Sequence, residues 1–155
     1  MYLYFKKQAL DWSKDVIIYE ELGYERYVLK PVVSTWVRTY QVFNRMGINV
    51  ASIEYRLGNI HPLMRIVHFK YDRIFEVVKK MKYPIQEYIF SKPYIHLRGD
   101  WKKHDYKLCM YDKYLAMVSE AVIDSEEVYK IGISRNAIEL DAFLVCMCIE
   151  ISSSF

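Results

Sequence analysis

Short runs of alternating apolar and polar residues, broken every ten or so positions by turn-forming residues, dominate this chain. Asp15 to Glu20 is followed by Glu21-Leu22-Gly23 and then by Tyr24 to Leu29. Val37 to Phe43 turns through Asn44-Arg45-Met46-Gly47 into Ile48 to Leu57, and Leu63 to Lys70 turns at Tyr71-Asp72 into Arg73 to Lys80. Pro93 to Arg98 meets Gly99-Asp100, after which His104 to Tyr111 turns at Asp112-Lys113 into Tyr114 to Val122. Successive side chains of a strand point to opposite faces, so each run assigns a buried and a wet side. Tyr106, Leu108 and Met110 are expected inside, with Asp105, Lys107 and Cys109 on the wet face. Val67 and Phe69 oppose His68 and Lys70 in the same way, and Tyr129, Ile131 and Ile133 alternate with Lys130 and Gly132. Short strands at this spacing, with Gly, Asn and Asp at the breaks, predict an all-β barrel or sandwich with one buried face. The Tyr-rich stretch between Pro84 and Pro93 fits either a strand or a crossing loop.

The pattern changes near the end. Asn136 can cap a helix, and Ala137 to Ile151 lacks turn residues and strict alternation. Glu139 and Asp141 fall in its first turns, where carboxylates suit the positive end of a helix. From Ala142 onward the segment is apolar on every side, so it must be buried on every side. A helix over about 137–151 would be a rod roughly 22 Å long. A closed antiparallel barrel can enclose such a rod. The alternative is a fully buried strand followed by a short tail, Ser152 to Phe155.

Composition narrows the class. The 155 residues suit a single domain, 1–155, and 53% hydrophobic with 26% charged residues excludes a disordered chain. The 15 tyrosines favour strands, because flat rings pack well on a pleated surface. A formal charge of +3 permits an anionic partner without demanding one. Cys109, Cys146 and Cys148 are an odd, sparse set that fits a reducing compartment better than a disulfide framework. The start carries no signal-peptide pattern, and the apolar run from Ala142 to Ile149 is far shorter than the ~20 residues of a membrane helix. The expectation is therefore a cytoplasmic protein, not transmembrane, that is either free or peripheral at a membrane.

The hairpin repeats, then Leu97-Arg-Gly-Asp-Trp101, then His104-Asp-Tyr-Lys-Leu108, then a hydrophobic end from Leu140 to Ile149, resemble the LURP-one-related family. That family belongs with the tubby C-terminal-like superfamily, which also contains the phospholipid scramblases. The resemblance implies a closed, about twelve-stranded barrel around a buried C-terminal helix. Tubby relatives bind phosphoinositide head groups with basic surface residues, but no residue of this chain matches those positions by motif. Cys146 and Cys148 stand where the family usually has small aliphatic residues, and the turns hold fewer Gly than in many relatives.

Signatures of catalysis are missing from the sequence: no Gly-rich phosphate loop, no Gly-x-Ser-x-Gly, no HExxH and no Cys-x-x-Cys. No enzymatic activity and no cofactor are expected. Cys146 and Cys148, two apart on a helix, point to nearly opposite sides and read as small core residues. His61, His68, His96 and His104 are scattered. His96 and His104 flank the Gly99-Asp100 turn beside Asp105, yet adjacent residues 104 and 105 point oppositely, so surface histidines are the expectation. The basic clusters carry the functional reading. Lys79, Lys80 and Lys82 end one strand, Lys102 and Lys103 follow Trp101, and Lys6 and Lys7 end the first strand. Clustered lysines at loop tips suit anionic lipid head groups, with Tyr83 and Trp101 as interfacial rings. The competing reading is that Lys at strand ends keeps edges from pairing with other chains. The chain is accordingly read as a non-enzymatic binding module that docks on anionic phospholipid through Lys79, Lys80, Lys82, Lys102 and Lys103. The alternative is a protein-interaction or structural domain. A nucleic-acid partner is not expected, since the sequence shows no basic stripe.

Overall fold

A computed structural model of the chain describes residues 1–56, 63–69, 73–82, 85–90 and 95–153, without the side chains of 73–75, 79–82 and 85–90. Twelve strands precede one helix. They are β1 (Tyr2–Lys6), β2 (Val16–Glu20), β3 (Glu25–Val33), β4 (Val37–Asn44), β5 (Asn49–Arg56) and β6 (Leu63–His68). There follow β7 (Arg73–Lys82), β8 (Ile85–Phe90), β9 (Ile95–Asp100), β10 (Asp105–Met110), β11 (Lys113–Ile123) and β12 (Glu126–Ile133). The helix, α1, spans Glu139–Ser153. The Tyr-rich stretch is thus a strand, β8.

All twelve strands form one antiparallel sheet in the order β8-β7-β6-β5-β4-β3-β2-β1-β12-β11-β10-β9. Chain neighbours pair with each other, and β1 pairs with β12, with Leu3 opposite Ile131, to join the two halves. The expected closed barrel is not formed. The sheet is open, and among the described residues no ladder joins its edge strands β8 and β9. In sequence, Pro84 immediately precedes β8 and Pro93 lies between β8 and β9, and a residue without an amide hydrogen disfavours extending a ladder. The β9 edge is further blunted by exposed Arg98 and Asp100, as edge strands usually are.

The open sheet still buries the helix. Residues Ala142 to Ser152 are all buried, with β5 and β6 touching α1 on one side and β11 and β12 on the other. The interior alternates as a pleated sheet should: Leu3 and Phe5, Val16 and Ile18, Tyr40 and Val42, and Met64 and Ile66 all face α1. Phe143, fully buried, stacks on Tyr27 at 4.7 Å between ring centroids. Burying a side chain of this size is worth about 1.5–3 kcal/mol.

Three local expectations need correction. Asn136 does not cap α1; it sits in a turn, and the first helical hydrogen bond runs from Ala142 N to Ile138 O. Cys109 is buried, not wet, because a bulge between Leu108 and Cys109 shifts the register with β11 and breaks the alternation. His68 faces the interior with Met64 and Ile66, and Phe69 is exposed. Arg65, two residues before Val67, already places Val67's face outward, and His68 follows from that parity.

Because every neighbouring pair is antiparallel, the register sorts the connections between two ends. The β2–β3, β4–β5, β6–β7 and β10–β11 connections lie with the start of α1, at what we term the entry end. The β3–β4 and β11–β12 turns and the β9–β10 connection lie at the exit end, with the last turn of α1.

Candidate functional site at the two ends of the buried helix

At the exit end the chain closes around one carboxylate. Glu150 is fully buried in the last turn of α1, after the apolar run Ala142 to Ile149. The phenol of Tyr106, on β10, donates to Glu150 Oε1 at 2.7 Å, and His104 Nδ1 lies 2.6 Å from Oε2. The His104 ring stacks on Tyr129 at 4.3 Å, and the Lys7 ammonium sits 5.5 Å from the Tyr129 centroid while pairing with Glu120 at 3.0 Å. The hydrogen bond to Glu150 raises the His104 pKa above its ordinary value, against the opposing effect of burial.

A short 3-10 turn, Trp101–Lys103, places His104 there. Asp100 caps it, accepting from Lys102 N at 3.0 Å and Lys103 N at 3.3 Å, and His104 ends it in the left-handed conformation at φ 53°. Gly99 makes the approach possible: a Cβ at its φ of 112° would meet Asp105 O at 2.6 Å and Tyr106 Cα at 2.9 Å. The Gly99-Asp100-Trp101 motif therefore has a physical purpose. It brings β10 close and turns the His104 ring onto α1.

The strand register assigns the predicted basic residues to this same end, on strands near opposite edges of the sheet. Lys102 and Lys103 are exposed and make no ion pair among the described residues, and Lys102 Nζ lies 5.7 Å from the Trp101 ring centroid. Trp101 itself is partly buried against the core, not a free interfacial ring. Lys79, Lys80 and Lys82 stand opposite Tyr88, Glu87 and Ile85 in the last part of β7, whose end lies at the exit end; their side chains are outside the described residues. Tyr83 is outside them too. Lys6 pairs with Glu126 at 3.4 Å and Lys7 with Glu120, so the first-strand lysines are neutralised in place. An exposed apolar tip that the sequence did not suggest, Val32 and Val33 at the end of β3 with Trp36 in the β3–β4 turn, shares this end.

The histidines do not assemble as a group. His96 lies opposite Cys109 in the β9–β10 ladder, His104 turns to α1, Asp105 is exposed, and His61 is outside the described residues. Cys146 and Cys148 are fully buried, and burial pushes both thiols up, as befits core residues.

The entry end holds a second polar group. His68 Nε2 lies 3.5 Å from Asp141 Oδ1 in the first turn of α1. Arg26 Nη2 pairs with Glu139 at 2.9 Å, Tyr27 donates its phenolic hydrogen to the same carboxylate, and Glu20 joins Arg26 to Arg45, the latter at 2.8 Å. Burial and the hydrogen bond to Glu139 raise the Tyr27 pKa. Beside these groups opens a cleft of about 540 Å³. Sequence reading placed Glu139 and Asp141 in the first turns of the helix without their partners and missed Glu150, whose signal was a lone acid inside Phe143 to Ile151. Among the described residues no helix is long and apolar enough to cross a membrane.

No family model matches the chain, and no curated protein matches it by sequence. A search of solved structures finds an X-ray structure of a protein from Arabidopsis thaliana. It is 12% identical in sequence, with a TM-score of 0.59 over 97% of this chain and 90% of that one. At that identity the likeness establishes a shared fold: a large antiparallel sheet with one helix.

Proposed function

We propose that the chain is a non-enzymatic binding module of the LURP-one-related kind, and that its exit end docks on anionic phospholipid head groups. The observation that carries this reading is one of placement. Lys102 and Lys103 are exposed without ion pairs among the described residues, and the Lys79–Lys82 end of β7 falls at the same end of the sheet by register. Each lysine near a charged bilayer surface contributes about 1 kcal/mol, so several at one end suffice for salt-sensitive docking. The Val32, Val33 and Trp36 tip adds apolar and indole surface where a bilayer interface would meet it. The capped 3-10 turn supports the reading further, because it holds the two lysines out on a backbone fixed by Asp100 and His104.

Flotation with neutral and phosphoinositide-containing vesicles, at low and physiological salt, tests the proposal. Binding should require the anionic lipid, weaken with salt, and fall in Lys102→Glu/Lys103→Glu and in Lys79→Glu/Lys80→Glu/Lys82→Glu. Absence of binding at either salt would overturn it. A second reading, a protein-interaction domain, is favoured by exposed Leu22, Tyr24, Met46 and Ile48 at the turns of the entry end. Capture of a partner that is lost in Leu22→Ser/Met46→Ser, with flotation absent, would favour that alternative.

A further inference from the structure

The entry-end cleft has features that the membrane reading does not use. Its volume of about 540 Å³ falls within the range of small-molecule sites. Val50 and Leu140 form apolar walls, and Met46 and Ile138 stand exposed as a rim. On the polar side lie Arg26, Arg45, Asn44 and His68, with Glu139 as the one carboxylate that lines the cleft.

The donors there are not all engaged. Glu20 meets Arg45 at Nη2, on one side of the guanidinium of a side chain that is 54% exposed, and Glu20 does not itself line the cleft. Asn44 Oδ1 accepts from Met46 N and Ile48 N at 3.0 Å each. That fixes the β4–β5 turn and leaves the Asn44 amide hydrogens for the cleft. The same two arginines line a smaller depression of about 280 Å³ that also includes Lys30. Glu25 lines that depression too, and Glu20 and Glu139 pair with the arginines, so what the wall offers an anion is the unpaired side of Arg45 and not a net positive charge. A guanidinium fork with an adjacent amide donor matches a carboxylate, which accepts two parallel hydrogen bonds.

We infer that the cleft between the β4–β5 turn and the first turn of α1 binds a small amphipathic carboxylate, its acid group on Arg45 and Asn44. Its apolar body lies against Val50, Leu140 and the Met46–Ile138 rim. Arg26 is held by Glu139 and Glu20, which offset its charge, so the acid group is left to Arg45 and Asn44.

Decanoate, used below its aggregation concentration, is a suitable probe, followed by amide chemical-shift titration of the whole chain. Saturable shifts should concentrate at residues 44–50 and 138–140. Decanol and decylamine should bind at least tenfold more weakly, and Arg45→Gln should weaken decanoate at least tenfold. Ile138→Asp, at an exposed rim position, should weaken it by a similar factor while the spectrum stays folded. Equal affinity for decanol and decanoate, an unchanged affinity in Arg45→Gln, or shifts scattered away from the cleft would each overturn the assignment. Vesicle binding through Lys102 and Lys103 is a separate readout, so either proposal fails without the other.

Discussion

At the entry end, the carboxylates of Glu139 and Asp141 sit in the first turn of α1, where the helix dipole favours negative charge. Arg26, the partner of Glu139, keeps contact with solvent at 30% exposed, whereas His68, which faces Asp141, is buried. At the exit end the situation is inverted. Glu150 is fully buried, stands where the dipole opposes its charge, and has no basic residue in its own last turn. His104 and Tyr106, carried in from the Gly99–Tyr106 hairpin, answer it. One end is electrostatically easy and tolerant, whereas the other depends on a few exact partners. Where charge is costly, the structure spends its most restricted backbone: a glycine that no side chain can replace and a histidine at positive φ.

That contrast can be broken most strongly at His104. His104→Ala should cost about 3–5 kcal/mol, the usual consequence of leaving a buried charge without its partner. Adding Glu150→Met should return much of the loss, since apolar replacements of buried pairs are often neutral. Chemical denaturation of the single and double variants, arranged as a cycle, measures both.

Gly99→Ala comes next. The new Cβ would press on Asp105 O at 2.6 Å in a backbone region that alanine avoids, so a loss of about 2–4 kcal/mol is expected. Amide exchange should open at the Trp101–Tyr106 segment before the rest of the sheet.

How much of this was legible beforehand follows the same division. Ten of the strands and the buried helix follow from period-two runs and from an apolar segment, because sheet and helix periodicities are local properties. A break at Gly99-Asp100 was readable, but those two residues end β9 and the turn is Trp101–His104; the purpose of Gly99 was hidden because the 2.6 Å approach involves the paired strand β10. His68 and Cys109 went to the wrong faces for different reasons. The first was a parity choice that Arg65 could have settled; the second was a bulge, which no alternation pattern announces. Closure of the sheet was expected from a resemblance and failed at β8 and β9, where two prolines in the sequence already argued for an edge. The pairing of His104 with Glu150, 46 residues apart, is a long-range contact that only the fold reveals.

Smaller effects sharpen the comparison from the other side. Arg26→Gln at the entry end should cost about 1–2 kcal/mol, discounted because the pair is partly solvated. Lys6→Ala, whose partner Glu126 is 57% exposed, should change stability by about 0–1 kcal/mol. The pH dependence should separate the ends as well. The His104 pKa is raised in the folded chain, so its contribution is full below its ordinary value near 6.5 and is lost as pH rises through the raised value. Thermal melts from pH 5.5 to 9 should show this decline in the native chain and its absence in His104→Phe/Glu150→Leu.

The claim that the two ends do different work is tested most directly by asking which of them touches a bilayer. The native cysteines are all buried, so an environment-sensitive dye can be placed at Thr35→Cys on the exit end or at Met46→Cys on the entry end. With phosphoinositide-containing vesicles, the account predicts a blue shift at position 35 that salt reverses, and none at position 46. A blue shift at position 46 alone would contradict it, and would assign the bilayer to the apolar turns of the entry end.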